Sequence, residues 1–179
     1  MSNDFADLFG DWPPEPNPNQ GRANPDHAHE PENRVRRPIQ VRECKVVNVF
    51  EATYADGNQD STNAKTNFVL LRDSIGRDIR IFVLPDVAYA MCLALSEHTP
   101  ERPFTHDLMK NILVRMGATI ECVTVDDLWQ DTFYSKITIV KGDESLEIDS
   151  RPSDAIALAL RFNAPIYISE HVLEAAQHE

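Results

Sequence analysis

Residues 148–161 read IDSRPSDAIALALR, and this stretch decides how the chain is expected to fold. A strand predicted over 145–148 ends here, Pro152 suits the first position of a helix, and apolar residues follow at helical spacing. Asp154 falls in the first helical turn, where a carboxylate accepts unpaired backbone N–H groups and complements the helix dipole. The stretch therefore predicts a strand followed at once by a helix.

An earlier stretch shows the same order of elements, so the chain contains a repeat at the level of pattern. Residues 68–95 and 134–160 each contain a hairpin with a glycine, then a proline, then a helix of alternating alanine and larger residues. The helices are offset by 67 positions, which makes Val87 the counterpart of Asp154. This pattern predicts an α+β domain in which two ββα-like halves form a mixed or antiparallel sheet with helices packed on it.

The other elements follow from local strand and helix signals. Strands are predicted over 41–54, 68–72, 78–83, 118–125, 132–140, 145–148 and 166–168. Helices are expected to begin at Pro85, Thr105, Pro152 and Ser169. The polar residues 55–67 predict a loop.

The first 38 residues differ in composition from the rest. They hold seven of the twelve prolines and much Asn, Asp and Glu, so they bury too little apolar surface to offset the entropy lost on ordering. We predict a disordered tail over 1–38 and one domain over 39–179. Within the tail, residues 4–12 place four large apolar side chains on one helical face between aspartates. This segment is either a docking segment for a protein partner or the body, or a frayed terminus.

Charge and cysteine content exclude some classes of protein. A net charge of −12 argues against a general nucleic-acid coating protein, although it permits a local basic site. No apolar run approaches the roughly 20 residues of a membrane span, and the first residues do not resemble a secretory signal. Three unclustered cysteines fit reduced thiols. These features predict a cytoplasmic protein with no membrane segment.

The helix start at Pro152 carries groups suited to chemistry. Arg151 places a cation beside a helix N-terminus, which favours anions, and Ser153 offers a hydroxyl at the same place. The structural alternative is a well-capped helix start, with Asp154 closing a capping box and Arg151 pairing with Asp149.

A second helix start repeats these residue types. Arg102 and Pro103 precede Thr105, the expected N-cap, followed by His106 and Asp107. The functional interpretation is a phosphate contact from Arg102 with His106 as acid or base. The structural interpretation is an N-cap, a dipole-stabilising Asp107 and a surface histidine.

Three aspartates, Asp126, Asp127 and Asp131, flank a predicted turn between strands. Carboxylates bind divalent cations, but no histidine lies nearby in sequence, and an exposed acidic turn is the more common arrangement. The P-loop, GxGxxG, GxSxG and HExxH motifs are absent from the sequence.

Three segments resemble the bifunctional nuclease family: PERPFTHDL at 100–108, DTFY at 131–134 and, above all, RPSDAIALA at 151–159. The resemblance covers about residues 41–176. It implies an α+β domain that usually self-associates, and nuclease activity on DNA and RNA. Members usually have glycine before the first repeat helix and Glu-Ala in its first turn, where this chain has Leu84 and Val87-Ala88.

Two functions are consistent with these features. The first is a metal-assisted nuclease on single-stranded DNA or RNA, whose catalytic residues are His106, Asp107, Asp154 and Ser153. In this hypothesis Arg102 and Arg151 bind the phosphate. Asp154, together with Asp149 or Asp107, binds Mg²⁺ or Mn²⁺. A mechanism that needs carboxylates at both repeat positions is weakened, because one of them is Val87. The second function is a non-catalytic homo-oligomeric module whose acidic tail recruits partners.

Overall fold

The computed structural model describes residues 40–54, 64–98, 100–130 and 132–177. The strands in these ranges are β1 (Val41–Tyr54), β2 (Ala64–Asp73), β3 (Asp78–Val83), β4 (Thr119–Trp129), β5 (Thr132–Lys141), β6 (Glu144–Ser150) and β7 (Ile166–Ser169). The helices are α1 (Pro85–Leu95), α2 (Thr105–Arg115), α3 (Pro152–Phe162) and α4 (Glu170–Ala175).

The strands form one mixed sheet in the order β3-β2-β1-β7-β4-β5-β6. Each half of the sheet is an antiparallel meander that leads into a helix, β1-β2-β3-α1 in the first half and β4-β5-β6-α3 in the second. The short β7 lies between the halves, antiparallel to β1 and parallel to β4. The predicted α+β fold with two similar halves is confirmed.

The two repeat helices begin in the same way. Pro85 and Pro152 each occupy the first helical turn after an extended residue, where the missing proline N–H costs no hydrogen bond. Val87 and Asp154 are therefore structural counterparts, as the repeat predicted. They differ in burial, because Val87 is only 5% exposed whereas the Asp154 side chain is 27% exposed.

The core lies between one face of the sheet and the helices. Along β3, buried residues alternate with exposed ones, as expected of a strand with one face packed and one face in water. The helix α3 is buried on nearly every side, including Ala155, Ile156 and Leu158. Full burial of such a side chain contributes about 1.5–3 kcal/mol, so α3 is the central packing element of the domain.

Two predicted boundaries were wrong, because strand pairing overrides local polarity. β2 begins at Ala64, so residues 64–67 extend the hairpin with β1 and do not belong to the predicted loop. β4 continues to Trp129, so Asp126 and Asp127 lie within a strand, at a register shift in its pairing with β5, and not in a turn.

A third correction concerns the start of α2. Its N-cap is Phe104 and not Thr105, which is the first helical residue. Asp107 still accepts a hydrogen bond from the Phe104 N–H at 3.0 Å, so one half of a capping box is present.

Some predictions fall on residues that the structure does not describe. The tail over 1–38, its segment 4–12 and Asp131 lie outside the described ranges, and the predictions for them stay predictions. Among the helices of residues 85–175, none is long and apolar enough to cross a membrane.

Candidate functional site

Three side chains from the two predicted helix starts meet in space. The Asp154 carboxylate of α3 lies between His106 of α2 and Arg151, the N-cap of α3. His106 Nε2 is 3.2 Å from Asp154 Oδ1, and Arg151 Nε donates to Asp154 Oδ2 at 2.7 Å. We call these three residues the carboxylate group. The pairing of Arg151 with Asp149, the structural alternative considered above, is therefore wrong.

His106 is held in place but keeps one nitrogen for solvent. The residue is only 7% exposed, in the first turn of α2. Nδ1 makes no hydrogen bond within the described residues, and no buried side-chain nitrogen or oxygen among them lacks a partner. Nδ1 therefore reaches solvent, while Asp154 orients the ring through Nε2. This division of roles between two imidazole nitrogens is the one that a general base requires.

Arg151 is the exposed member of the carboxylate group. Its side chain is 67% exposed, and Asp154 engages its Nε. The hydrogen bond and the negative charge of Asp154 raise the pKa of the guanidinium above its ordinary value. The two terminal nitrogens have no partner among the described residues, so they are available to donate hydrogen bonds to an anion.

Asp107 turns away from the carboxylate group and pairs with a residue that the sequence interpretation missed. Arg161 Nε donates to Asp107 Oδ1 at 2.6 Å. Partial burial by itself would raise the pKa of Asp107. The hydrogen bonds from Arg161 and the Phe104 N–H, together with the Arg161 charge, outweigh that effect and lower the pKa below its ordinary value.

Arg161 joins three helices. Its buried guanidinium donates to the carbonyl of Ala157 at 2.9 Å and to that of Ala90 in α1 at 3.2 Å. Lys110 of α2 donates to the Arg161 carbonyl at 2.6 Å. One sequence signal was available: an arginine at the end of the apolar helix 152–160 must find partners if that helix is buried.

The remaining predicted site residues stand apart from the carboxylate group. Arg102 is exposed, and it makes no hydrogen bond or ion pair with a described residue. Ser153 is half-buried at the start of α3, and its hydroxyl has no described partner. Asp149 lies opposite Lys136 on the face of the sheet away from α3, whereas Asp154 lies on the helix side. The structure therefore does not bring Asp149 and Asp154 to one ion.

The carboxylates present do not fit a divalent cation site. Each oxygen of Asp154 contacts a nitrogen of His106 or Arg151, and Asp107 is paired with Arg161. A dication on Asp154 would lie beside the Arg151 guanidinium and be repelled by it. Within the described ranges, no three side chains of His, Cys, Asp or Glu form a group that could hold a metal.

The acidic strand β4 contacts a histidine from far along the chain. His171 Nε2 is 3.1 Å from Asp127 Oδ1, and His171 Nδ1 is 3.1 Å from Ser169 Oγ. This order resembles a Ser-His-Asp chain, but Ser169 is fully buried and its hydroxyl donates to the Asp126 carbonyl. A nucleophile must be accessible to substrate, so these contacts instead join α4 to β4.

A groove of about 470 Å³ lies at the other end of α3, lined by residues 43–46, 159–160 and 163–166. None of the carboxylate group lines it. The thiol in this groove belongs to Cys44, and burial raises its pKa to about 11. A thiol with so high a pKa is protonated at neutral pH and is a poor nucleophile. This groove therefore offers no reactive thiol.

Comparison with known proteins identifies the family of this chain. Residues 69–179 match the bifunctional nuclease domain, so the chain belongs to the bifunctional nuclease family. The matched region contains both helix starts and all of the carboxylate group.

Individual relatives show how far this similarity extends. An uncharacterized protein of Mycobacterium tuberculosis is 36% identical over 109 residues, which cover 60% of this chain and 65% of that protein. Bifunctional nuclease 1 of Oryza sativa is 26% identical over 62% of this chain, and bifunctional nuclease 2 of Arabidopsis thaliana is 27% identical over 57%. The matches span only 35% and 32% of those two plant proteins.

Proposed function

We propose that the protein is a nuclease that hydrolyses phosphodiester bonds of DNA or RNA at the carboxylate group. The observation that carries the proposal is the contact between His106 and Asp154, at 3.2 Å across 48 residues of sequence, beside the exposed Arg151. An oriented imidazole next to a free guanidinium fork supplies a proton acceptor and a phosphate-binding group.

The proposed step needs only the residues of the site and water. Arg151 binds the phosphate through its terminal nitrogens, and the backbone N–H groups at the start of α3 favour the same anion. His106 Nδ1 accepts a proton from the attacking water as the new P–O bond forms. The P–O bond to the leaving oxygen breaks, and solvent returns a proton to that oxygen. Asp154 keeps the ring oriented and stabilises the imidazolium.

The assay compares cleavage of single-stranded DNA and RNA by the wild type, His106→Asn and Asp154→Asn, all purified in the same way. Loss of the general base is expected to lower the rate by about 100-fold or more. Asp149→Asn, on the other face of the sheet, should cleave like the wild type. Each reaction is run with EDTA, Mg²⁺ or Mn²⁺, and cleavage is expected to persist in EDTA. Equal rates for His106→Asn and the wild type would refute the proposal.

A second function, a non-catalytic homo-oligomeric module, is favoured by the surface of α2. Leu108 and Ile112 share one face of this helix and are exposed, as are the neighbouring Phe104 and Tyr89, whose rings meet edge to face at 5.7 Å. Contiguous apolar surface of this kind marks protein–protein contacts. Leu108→Asp is expected to lower the molar mass measured by light scattering while leaving the fold intact. An unchanged mass would rule out α2 as the contact.

A further inference from the structure

The first half of the sheet presents an aromatic row on the face turned away from the helices. Along β2 and β3, buried residues alternate with residues that are exposed or half-buried. On this open face Phe68 is the direct cross-strand partner of both Phe50 and Phe82. The Phe50 and Phe68 rings stack with centroids 5.4 Å apart, and the Phe68 and Phe82 rings meet edge to face at 6.3 Å. We call these three residues the aromatic row.

Packing within the sheet does not explain the aromatic row. Phe82 is 66% exposed and Phe50 is 39% exposed, so both rings forgo much of the free energy that burial would release. Cross-strand pairing does not require phenylalanine, since β-branched residues pair well on such a surface. Two exposed rings with a half-buried third ring between them, on adjacent strands, are instead typical of a surface that binds a ligand.

Positive charge lies beside the aromatic row, although the whole chain is acidic. The Arg80 guanidinium stands 5.8 Å from the centre of the Phe68 ring. Lys45 and Arg72 are cross-strand partners on the same face. Arg72 is paired with Asp78 at 2.8 Å, whereas Lys45 forms no ion pair with a described residue.

The same face carries the opposite charge in the second half. Glu147 and Asp149 of β6 are exposed there, with Lys136 of β5 between acidic neighbours. In the first half Lys45, Arg72 and Arg80 face the acidic groups of Asp78 and Glu43, whereas acidic groups predominate in the second half. An anionic ligand on the open face is therefore favoured in the first half.

We propose that the aromatic row and its cations bind single-stranded nucleic acid. Bases stack on the rings, and phosphates lie against Lys45 and Arg80. A single strand is required because a duplex keeps the faces of its bases stacked inside. Every base has a face that can stack on a ring, so binding is tolerant of sequence. The assignment of the ligand as a nucleic acid rests on the proposed function. The two sites are separate, because the carboxylate group lies on the helix side of the sheet.

The experiment measures binding of a fluorescent oligodeoxythymidylate of about 12 nucleotides to the full chain by anisotropy, at low salt with EDTA. A gel run after each titration verifies that the oligonucleotide is intact. Phe82→Ala and the milder Phe82→Leu are compared with Ile75→Ala, an equally exposed apolar residue in the β2-β3 turn. The two Phe82 variants should weaken binding at least about fivefold, the effect of losing one stacked base. Ile75→Ala should bind like the wild type.

Salt dependence tests the cations separately. Removing one phosphate contact from a single-strand complex lowers the slope of log K against log salt by about 0.7, so Arg80→Gln should show this change. Thermal melting of every variant verifies that the fold is retained. The proposal would be overturned if the wild type did not bind the oligonucleotide, or if a folded Phe82→Leu variant bound it as tightly as the wild type. If a Phe82 substitution changes the molar mass of the protein but not its affinity for the oligonucleotide, the aromatic row is a self-association surface.

Failure of this proposal is distinguishable from failure of the proposed function. His106→Asn should lose cleavage and keep the wild-type dissociation constant. Phe82→Leu should cleave at the wild-type rate when substrate is saturating. It should need a higher substrate concentration to reach saturation.

Discussion

Helices α1 and α3 occupy equivalent places in the two halves, yet only α3 carries polar groups at three matching positions. Arg151, Asp154 and Arg161 of the second half correspond to Leu84, Val87 and Ala94 of the first. Since α1 forms with apolar residues at all three positions, helix formation does not require the polar ones. The comparison shows that one backbone arrangement serves as scaffold in the first half and as candidate site in the second.

On the open face of the sheet, it is the first half that carries the candidate binding residues. The first half carries the exposed aromatic row with its cations, and the second half carries exposed carboxylates. Each half therefore presents its distinctive chemistry on a different side of the sheet, and substitutions at matched positions can separate the roles.

The largest expected loss of stability comes from Arg161→Met, which gives α3 an apolar residue where α1 has Ala94. The substitution leaves the half-buried Asp107 without its cation and removes the side-chain hydrogen bonds to the Ala157 and Ala90 carbonyls. Breaking such a buried pair costs about 3–5 kcal/mol of unfolding free energy. Urea denaturation measures the loss. Arg151→Met, at an exposed arginine of the same helix, serves as the control and should change stability by less than about 1 kcal/mol. Similar losses for both variants would contradict the central role of Arg161.

Val87→Glu tests whether the first half can acquire a carboxylate at the position that corresponds to Asp154. Val87 is 5% exposed in the core, so an added carboxylate should lower the unfolding free energy by at least about 1–3 kcal/mol. Cys92→Glu, at an exposed position of the same helix, should change it by no more than about 0.5 kcal/mol. Calorimetric melting measures both. A stable Val87→Glu protein with increased Mg²⁺- or Mn²⁺-dependent cleavage would instead support paired carboxylates.

The smallest effect concerns the acid stability of the second half. Burial alone would raise the pKa of Asp107, but the hydrogen bonds from Arg161 and the Phe104 N–H and the Arg161 charge together lower it in the folded protein. Its stabilising contribution is therefore present above the ordinary aspartate pKa of 3.8 and is lost as pH falls through the lower folded value. The difference in melting temperature between the wild type and Asp107→Asn should shrink as pH falls below about 4. Asp86→Asn, at the exposed first turn of α1, is the control. A difference that stays constant with pH would contradict this assignment.

Much of the fold could be predicted from local sequence. Pro85 and Pro152 mark the helix starts, and Gly76 and Gly142 supply the positive φ angles of 91° and 58° in the hairpin turns. These signals act within a few residues, so each can be recognised without knowledge of the rest of the chain. The strand ends were less predictable: residues 64–67 and Asp126-Asp127 are polar, and only pairing with a neighbouring strand makes them extended.

Local signals specify the repeat, the elements and the residue types at each helix start, because periodicity, proline and glycine act over a few residues. Which of those residues meet depends on how the elements pack. His106 reaches Asp154 because α2 packs against α3, and the same packing turns Asp107 towards Arg161. It also leaves Leu108 and Ile112 exposed, although their spacing alone is equally consistent with a buried face. Contacts between residues about 50 positions apart depend on how whole elements pack, and packing is a property of the assembled core.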